Sequence, residues 1–80
     1  MAMAELRPRD ITRLLQAVPR LVELPAARFW VDYDADADVL YVAFQRPQHA
    51  SDSEMRDDGI IIHRRAKRVV GVTVLDASKR

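Results

Sequence analysis

The chain predicts an α+β fold, a helix first and an antiparallel sheet after it, and three observations carry that prediction. Apolar residues near the start recur at spacings of three and four. From Phe29 onward they come instead in short β-branched and aromatic runs. Between those runs stand Asp, Gly, Pro and Lys, the residues that turn a chain.

The helical segment is carried by Ile11, Leu14, Leu15, Val18, Leu21 and Val22, which share one stripe of a helix that must face something apolar. Asp10 is the expected N-cap, since its carboxylate can accept the free amides of a first turn. Pro19 removes a backbone donor and disfavours helical geometry at Val18, so a kink or two short helices are expected, ending near Leu24-Pro25. A segment this short holds helical form in water only by burying its stripe, so docking on the sheet is expected.

Four strands follow in the reading: Phe29 to Asp34, Val39 to Gln45, Gly59 to Arg65 and Val69 to Leu75. The Asp-rich stretch 34–38 turns the first into the second, and Ala66-Lys67 turns the third into the fourth. Together they predict a four-stranded antiparallel β-meander. The connection 46–58 is long for a structureless loop, so it holds either a short edge strand near Ser53 to Met55, which the lone apolar Met55 favours, or a functional loop. The whole of 1–80 reads as a single domain, with a helical segment over 1–25 and the β region over 29–78.

Bulk composition narrows the function classes. Apolar residues are 49% and charged residues 31%, which is globular rather than disordered composition. A formal net charge of +1 gives no global field toward nucleic acid or an anionic membrane. The charge is zoned, however. Residues 1–28 hold five Arg against three acids, 29–58 two Arg against eight acids, and 59–80 six bases against one Asp. No cysteine is present, so thiolate chemistry and disulfides are ruled out and the cytoplasm is the expected compartment. No apolar run approaches a membrane span and the first residues lack a signal-peptide pattern, so no membrane association is expected.

Alternation along the strands places Phe29, Val31, Tyr33, Leu40, Val42 and Phe44 on one side of the sheet. The other side still carries Trp30, Val39, Tyr41 and Ala43. One amphipathic helix covers about one face, so the second face is left for a partner, and a second copy of the chain is the expected one.

Three blocks in order, Tyr33-Asp34-Ala-Asp36-Ala-Asp38-Val39-Leu40-Tyr41-Val42-Ala-Phe44, Asp57-Asp58-Gly59-Ile60-Ile61 and Val69-Val70-Gly71-Val72-Thr-Val74-Leu75-Asp76-Ala-Ser78, resemble the bacterial Domain of Unknown Function 2283 family over residues 29–78. The N-terminal helical segment is an extension to that resemblance. It implies a small bacterial β-rich domain with no established activity and no functional residue to carry over. Some relatives are encoded beside small toxin-like proteins, which implies an antitoxin-like role.

Candidate chemistry is sparse. Asp32, Asp34, Asp36 and Asp38 alternate like the opening of a calcium loop, but the Gly at its sixth position and the Glu at its twelfth are missing from either starting point, so Asx-turn bonding is expected instead. His49, Ser51, Asp52 and Glu54 crowd one loop, yet a nucleophile and its base need a scaffold that loop neighbours lack. His63 reads as a strand residue at the rim. The run His63-Arg64-Arg65-Ala-Lys67-Arg68 can touch phosphate, but no aromatic stands in it to stack a base, and a solvated turn or a clasp for a partner's Asp-rich segments is favoured.

The sequence thus predicts a non-enzymatic protein-interaction module that forms a homodimer, without cofactor or metal, through a surface containing Trp30, Val39, Tyr41, Arg64, Arg65, Lys67 and Arg68. The alternative is an antitoxin-like component of a toxin-antitoxin pair, with a small toxin-like protein as partner and nucleic acid relevant only in that case. A small-ligand or metal-binding protein stands third.

Overall fold

The computed structural model describes residues 5–80. One helix precedes a single antiparallel sheet: α1 (Pro8–Val22), β1 (Trp30–Asp34), β2 (Val39–Ala43), β3 (Asp52–Met55), β4 (Ile60–Arg65) and β5 (Arg68–Leu75), followed by a 3₁₀ turn over Ala77–Lys79. The class is the expected one, and the strand count is five rather than four. The added strand is β3, at the place Met55 marked.

Strand order is β1-β2-β5-β4-β3, which corrects the simple meander. The β3-β4-β5 part is a meander, but β2 pairs with β5 rather than with the strand that follows it in sequence. The reason lies in composition. This order puts the Val-rich β5 at the centre and Val39–Ala43 and Ile60–Arg65 on either side of it, while the polar Asp52–Met55 and the acid-bearing Trp30–Asp34 take the edges, where unpaired backbone groups meet water.

α1 is one continuous helix of 15 residues with Pro19 inside it, not two short ones. Its N-cap is Arg7, and Pro8 stands where a missing N–H costs nothing. Asp10 therefore sits three residues in rather than at the cap, and its Oδ2 accepts the Arg7 backbone N–H at 2.8 Å. An acid in the first turn also suits the helix dipole.

The chain leaving α1 lies against the sheet: Leu24 to Arg28 share a cleft of about 700 Å³ with Phe44, Gln45 and Arg68 to Val70. The helix packs against the sheet from this end, and its contact is slight. No residue of α1 is buried, and Leu14 and Leu15 stay 55% and 61% exposed. The stripe expected to hold the helix down is thus largely open to water in the single chain. The molecule is correspondingly long, 41 × 28 × 25 Å, with a radius of gyration of 14.1 Å. A compact chain of this length would have about 12 Å.

The core is thin. Val70, at 1% exposure, is the one fully buried large side chain among the described residues, with Val39, Gly71 and Thr73 close to it in burial.

Candidate interaction surface

Cross-strand register decides which side chains share a face. On the first face the rows are Val31, Val42, Val72 and Ile62, then Tyr33, Leu40, Val74 and Ile60. Phe44 and Val70 extend this face at one end, where the Phe44 N–H bonds the Val70 carbonyl at 2.9 Å. The rows are apolar or aromatic as far as the β3 edge, where Glu54 stands opposite Ile62 and pairs with Arg64. Val31 and Tyr33 are more than half exposed, and Leu40, Val42, Val72, Val74, Ile60 and Ile62 are half-buried by their neighbours in the sheet.

The second face is mixed. Its rows are Trp30, Ala43, Gly71, His63 and Ser53, then Asp32, Tyr41, Thr73, Ile61 and Met55. The Gln48 side chain lies over Gly71, where a Cβ would stand 2.5 Å from its Oε1, so a larger residue there would push the Gln48 amide aside. His63 is not a rim residue. It is half-buried in mid-sheet, with Ser53 Oγ 2.7 Å from Nδ1 and Thr73 Oγ1 2.8 Å from Nε2. Each hydroxyl can donate or accept, so both ring nitrogens are satisfied in either tautomer. Behind the ring stands the Thr73 hydroxyl rather than a carboxylate, the arrangement of a structural crosslink between β3, β4 and β5.

The predicted surface residues divide accordingly. Trp30 is half-buried and Tyr41 exposed on the mixed face, where both line a cleft of about 300 Å³ with Asp32, Gln48 and Thr73. Val39 is buried, so it belongs to the core of the single chain and not to an open surface. Arg64 is half-buried and paired with Glu54 across β3 and β4. Arg65, Lys67 and Arg68 are exposed at the β4-β5 turn, whose Ala66 takes a left-handed φ of 56°. The loop triad candidates are not assembled: the Ser51 hydroxyl accepts the Ala66 N–H at 3.3 Å, and Glu54 serves Arg64.

The Asp series does the turn work expected of it. Asp34 Oδ1 accepts the N–H groups of Asp36 and Ala37 at 3.1 and 3.2 Å, an Asx-turn. Asp38 ties the β1-β2 turn to the C-terminal turn: it accepts the Tyr33 hydroxyl at 2.6 Å and the Ser78 N–H and hydroxyl at 2.9 and 2.8 Å. These three donors, the Tyr33 hydroxyl first, hold the Asp38 carboxyl below its ordinary pKa. The same bond holds the Tyr33 phenol above its own. The Arg80 side chain closes this end by donating to the carbonyls of Leu75 and Asp58.

A family model for proteins of unknown function, DUF2283, matches residues 30–78. The chain belongs to the DUF2283 family. The match spans β1 through the C-terminal turn, so every strand of the sheet lies inside it, while α1 lies outside it. No curated protein and no solved structure matches the chain. No helix among the described residues is long and apolar enough to cross a membrane.

Proposed function

We propose that this DUF2283 chain is a non-enzymatic, cytoplasmic protein-interaction module that self-associates as a homodimer through its apolar sheet face. The single observation that supports this reading is the pair of uncovered apolar surfaces on one chain: the face built on Val31, Leu40, Val42, Ile62, Val72 and Val74, and the α1 stripe of Ile11, Leu14, Leu15 and Val18. Exposed apolar areas of this extent are characteristic of interaction sites.

Size argues that both surfaces take part. Five strands spaced by about 4.8 Å and about six residues long give a planar face of roughly 350 Å² per copy. Doubled, that falls short of the roughly 1,200 Å² at which stable interfaces begin. A 15-residue helix adds a strip about 22 Å long and 10 Å wide, which closes most of the gap.

The choice of face departs from the one the sequence suggested. Trp30 and Tyr41 share their side with Asp32, Ser53, His63 and Thr73, whose polar groups would be desolvated in an apolar interface. The opposite rows confine their charged groups to the β3 edge, where Glu54 and Arg64 already pair with each other. Light scattering after size exclusion, run as a dilution series, tests the reading: the mass should fall from about twice the 9.2 kDa chain mass toward one copy, whereas a single-copy mass at all concentrations contradicts it.

The exposed α1 stripe also supports the antitoxin-like alternative, in which the helix covers a small partner protein. Co-purification of a stoichiometric second polypeptide that dissociates on Leu14→Asp would favour it over self-association.

A further inference from the structure

Antiparallel pairing gathers the turns at two opposite ends of the sheet, and the sequence loads those ends with opposite charge. At one end lie the β1-β2 turn, the β3-β4 turn and the end of β5, carrying Asp34, Asp36, Asp38, Asp57, Asp58 and Asp76. Arg56, Lys79 and Arg80 offset half of these, Arg56 by pairing with Asp58 at 2.8 Å. The other end holds the approach to β1, the exit of β2 and the β4-β5 turn, with Arg28, Arg46, Arg65, Lys67 and Arg68. Asp52, at the start of β3, is the acid nearest it. The sheet is therefore an electrical dipole along its strands.

Two copies stacked through the apolar face have two ways to satisfy two-fold symmetry with aligned strands. If the axis runs along the strands, basic end meets basic end and acidic end meets acidic end. If it runs across them, each basic end meets the partner's acidic end. Stacked sheets stand about 10 Å apart, comparable to the screening length at about 0.1 M salt, so charges at facing ends interact across the interface. Such rim charges add little affinity but select orientation, because like ends repel.

We propose that the homodimer is head-to-tail, with the Arg65, Lys67 and Arg68 turn of each copy over the Asp36 and Asp57-Asp58 turns of the other. This rests on the self-association reading and specifies its geometry. The helix fits the same arrangement. The chain leaving it meets the sheet at the basic end, beside Arg28 and Arg68, and α1 carries three Arg against one Asp, so it adds to the positive charge of that end. The partner is thereby identified as a second copy by complementarity of the chain with itself.

The absence of cysteine makes the orientation directly readable. Ala37→Cys marks the acidic end and Ala66→Cys the basic end, both at exposed turn positions. The two proteins, each confirmed dimeric by light scattering, are mixed and treated with a bis-maleimide of about 10 Å span, matched to the sheet spacing. Head-to-tail packing gives the 37–66 crosslinked species as the dominant product and little of 37–37 or 66–66. Dominant homotypic crosslinks in a sample of dimeric mass overturn the orientation while leaving self-association intact. Loss of the dimeric mass in the unmodified chain overturns the underlying reading instead. Salt gives an independent sign: raising it from about 0.05 to 0.5 M should weaken a head-to-tail dimer by about tenfold, whereas a dimer with like ends facing would tighten.

Discussion

Val31→Lys separates the dimer from the fold. Val31 lies on edge strand β1, in the row shared with Val42, Val72 and Ile62, and is 54% exposed in the single chain. Fully burying a valine is worth about 1.5 kcal/mol at the low end of the usual range, so covering the exposed half contributes roughly 1 kcal/mol per copy. Two-fold symmetry counts it twice. Lysine at an edge can snorkel its ammonium to water, which limits the added desolvation to about 1 kcal/mol more. The dimer should weaken by roughly 2 to 3 kcal/mol, about 30- to 150-fold in Kd. The monomer should hardly notice, since an exposed edge substitution changes stability by about 0.5 kcal/mol. Sedimentation velocity over a dilution series reads the first quantity, and a thermal melt below the dissociation constant reads the second. A variant with wild-type melting and a Kd within threefold of wild type would refute the assignment of this face.

Other substitutions probe separate parts of the molecule. Leu14→Ala should cost under about 1 kcal/mol in dilute solution, because the side chain is mostly exposed there, and about 2 kcal/mol or more where the dimer forms. A melting shift independent of concentration would exclude α1 from the interface. Gly59 has a φ of 81°, and a Cβ there would stand 2.6 Å from Arg80 Nη2, so Gly59→Ala should destabilise by about 1 to 2 kcal/mol in urea unfolding and free the Arg80 side chain. Ala66→Gly should do the opposite, adding about 0.5 to 1 kcal/mol by relieving a left-handed alanine in the β4-β5 turn; an unchanged unfolding midpoint would show that no strain is held there. Asp38 has its folded pKa lowered by its bonds, so its contribution is full above the unfolded carboxyl pKa and is lost as pH falls through the folded value. The protection factor of the Ser78 amide, its exchange measured against the intrinsic rate at the same pH, should therefore fall in acid, and Asp38→Asn should flatten that dependence.

Most of the secondary structure was legible because its signals are local. Ile11 to Val22 shows helical spacing, and the turn residues at 34–38 and 66–67 bracket the strands on either side. Even β3 was readable from one apolar residue, Met55, in a polar stretch. Sheet order was not, because a hairpin is fixed by a few neighbouring residues whereas the β2-β5 pairing depends on which distant strands are most apolar. A signal for it did exist: β5, Arg68–Leu75, has no charge after its first residue, and a strand so composed belongs in the centre. The cap failed for a related reason. Asp10 fitted the capping preference, but Pro8 fixes the first helical turn two residues earlier.

The surface was half legible. Alternation alone placed Val31, Tyr33, Leu40, Val42 and Phe44 together, and the structure adds Ile60, Ile62, Val70, Val72 and Val74 to the same side. What the pattern could not convey is that α1 leaves that side open, since the spacing of Leu14 and Leu15 is the same whether they meet their own sheet or a partner's. The Ser53-His63-Thr73 crosslink was equally hidden, because its members come from three strands whose register only the fold sets.

Methyl NMR with a soluble paramagnetic agent tests the covered face most directly, by comparing relaxation at concentrations above and below the dimer dissociation constant. Leu40, Val42, Ile62, Val72 and Val74 methyls should be shielded in the concentrated sample and become accessible on dilution, while the buried Val70 methyls stay shielded throughout. Equal accessibility of the five at both concentrations would contradict self-association through this face.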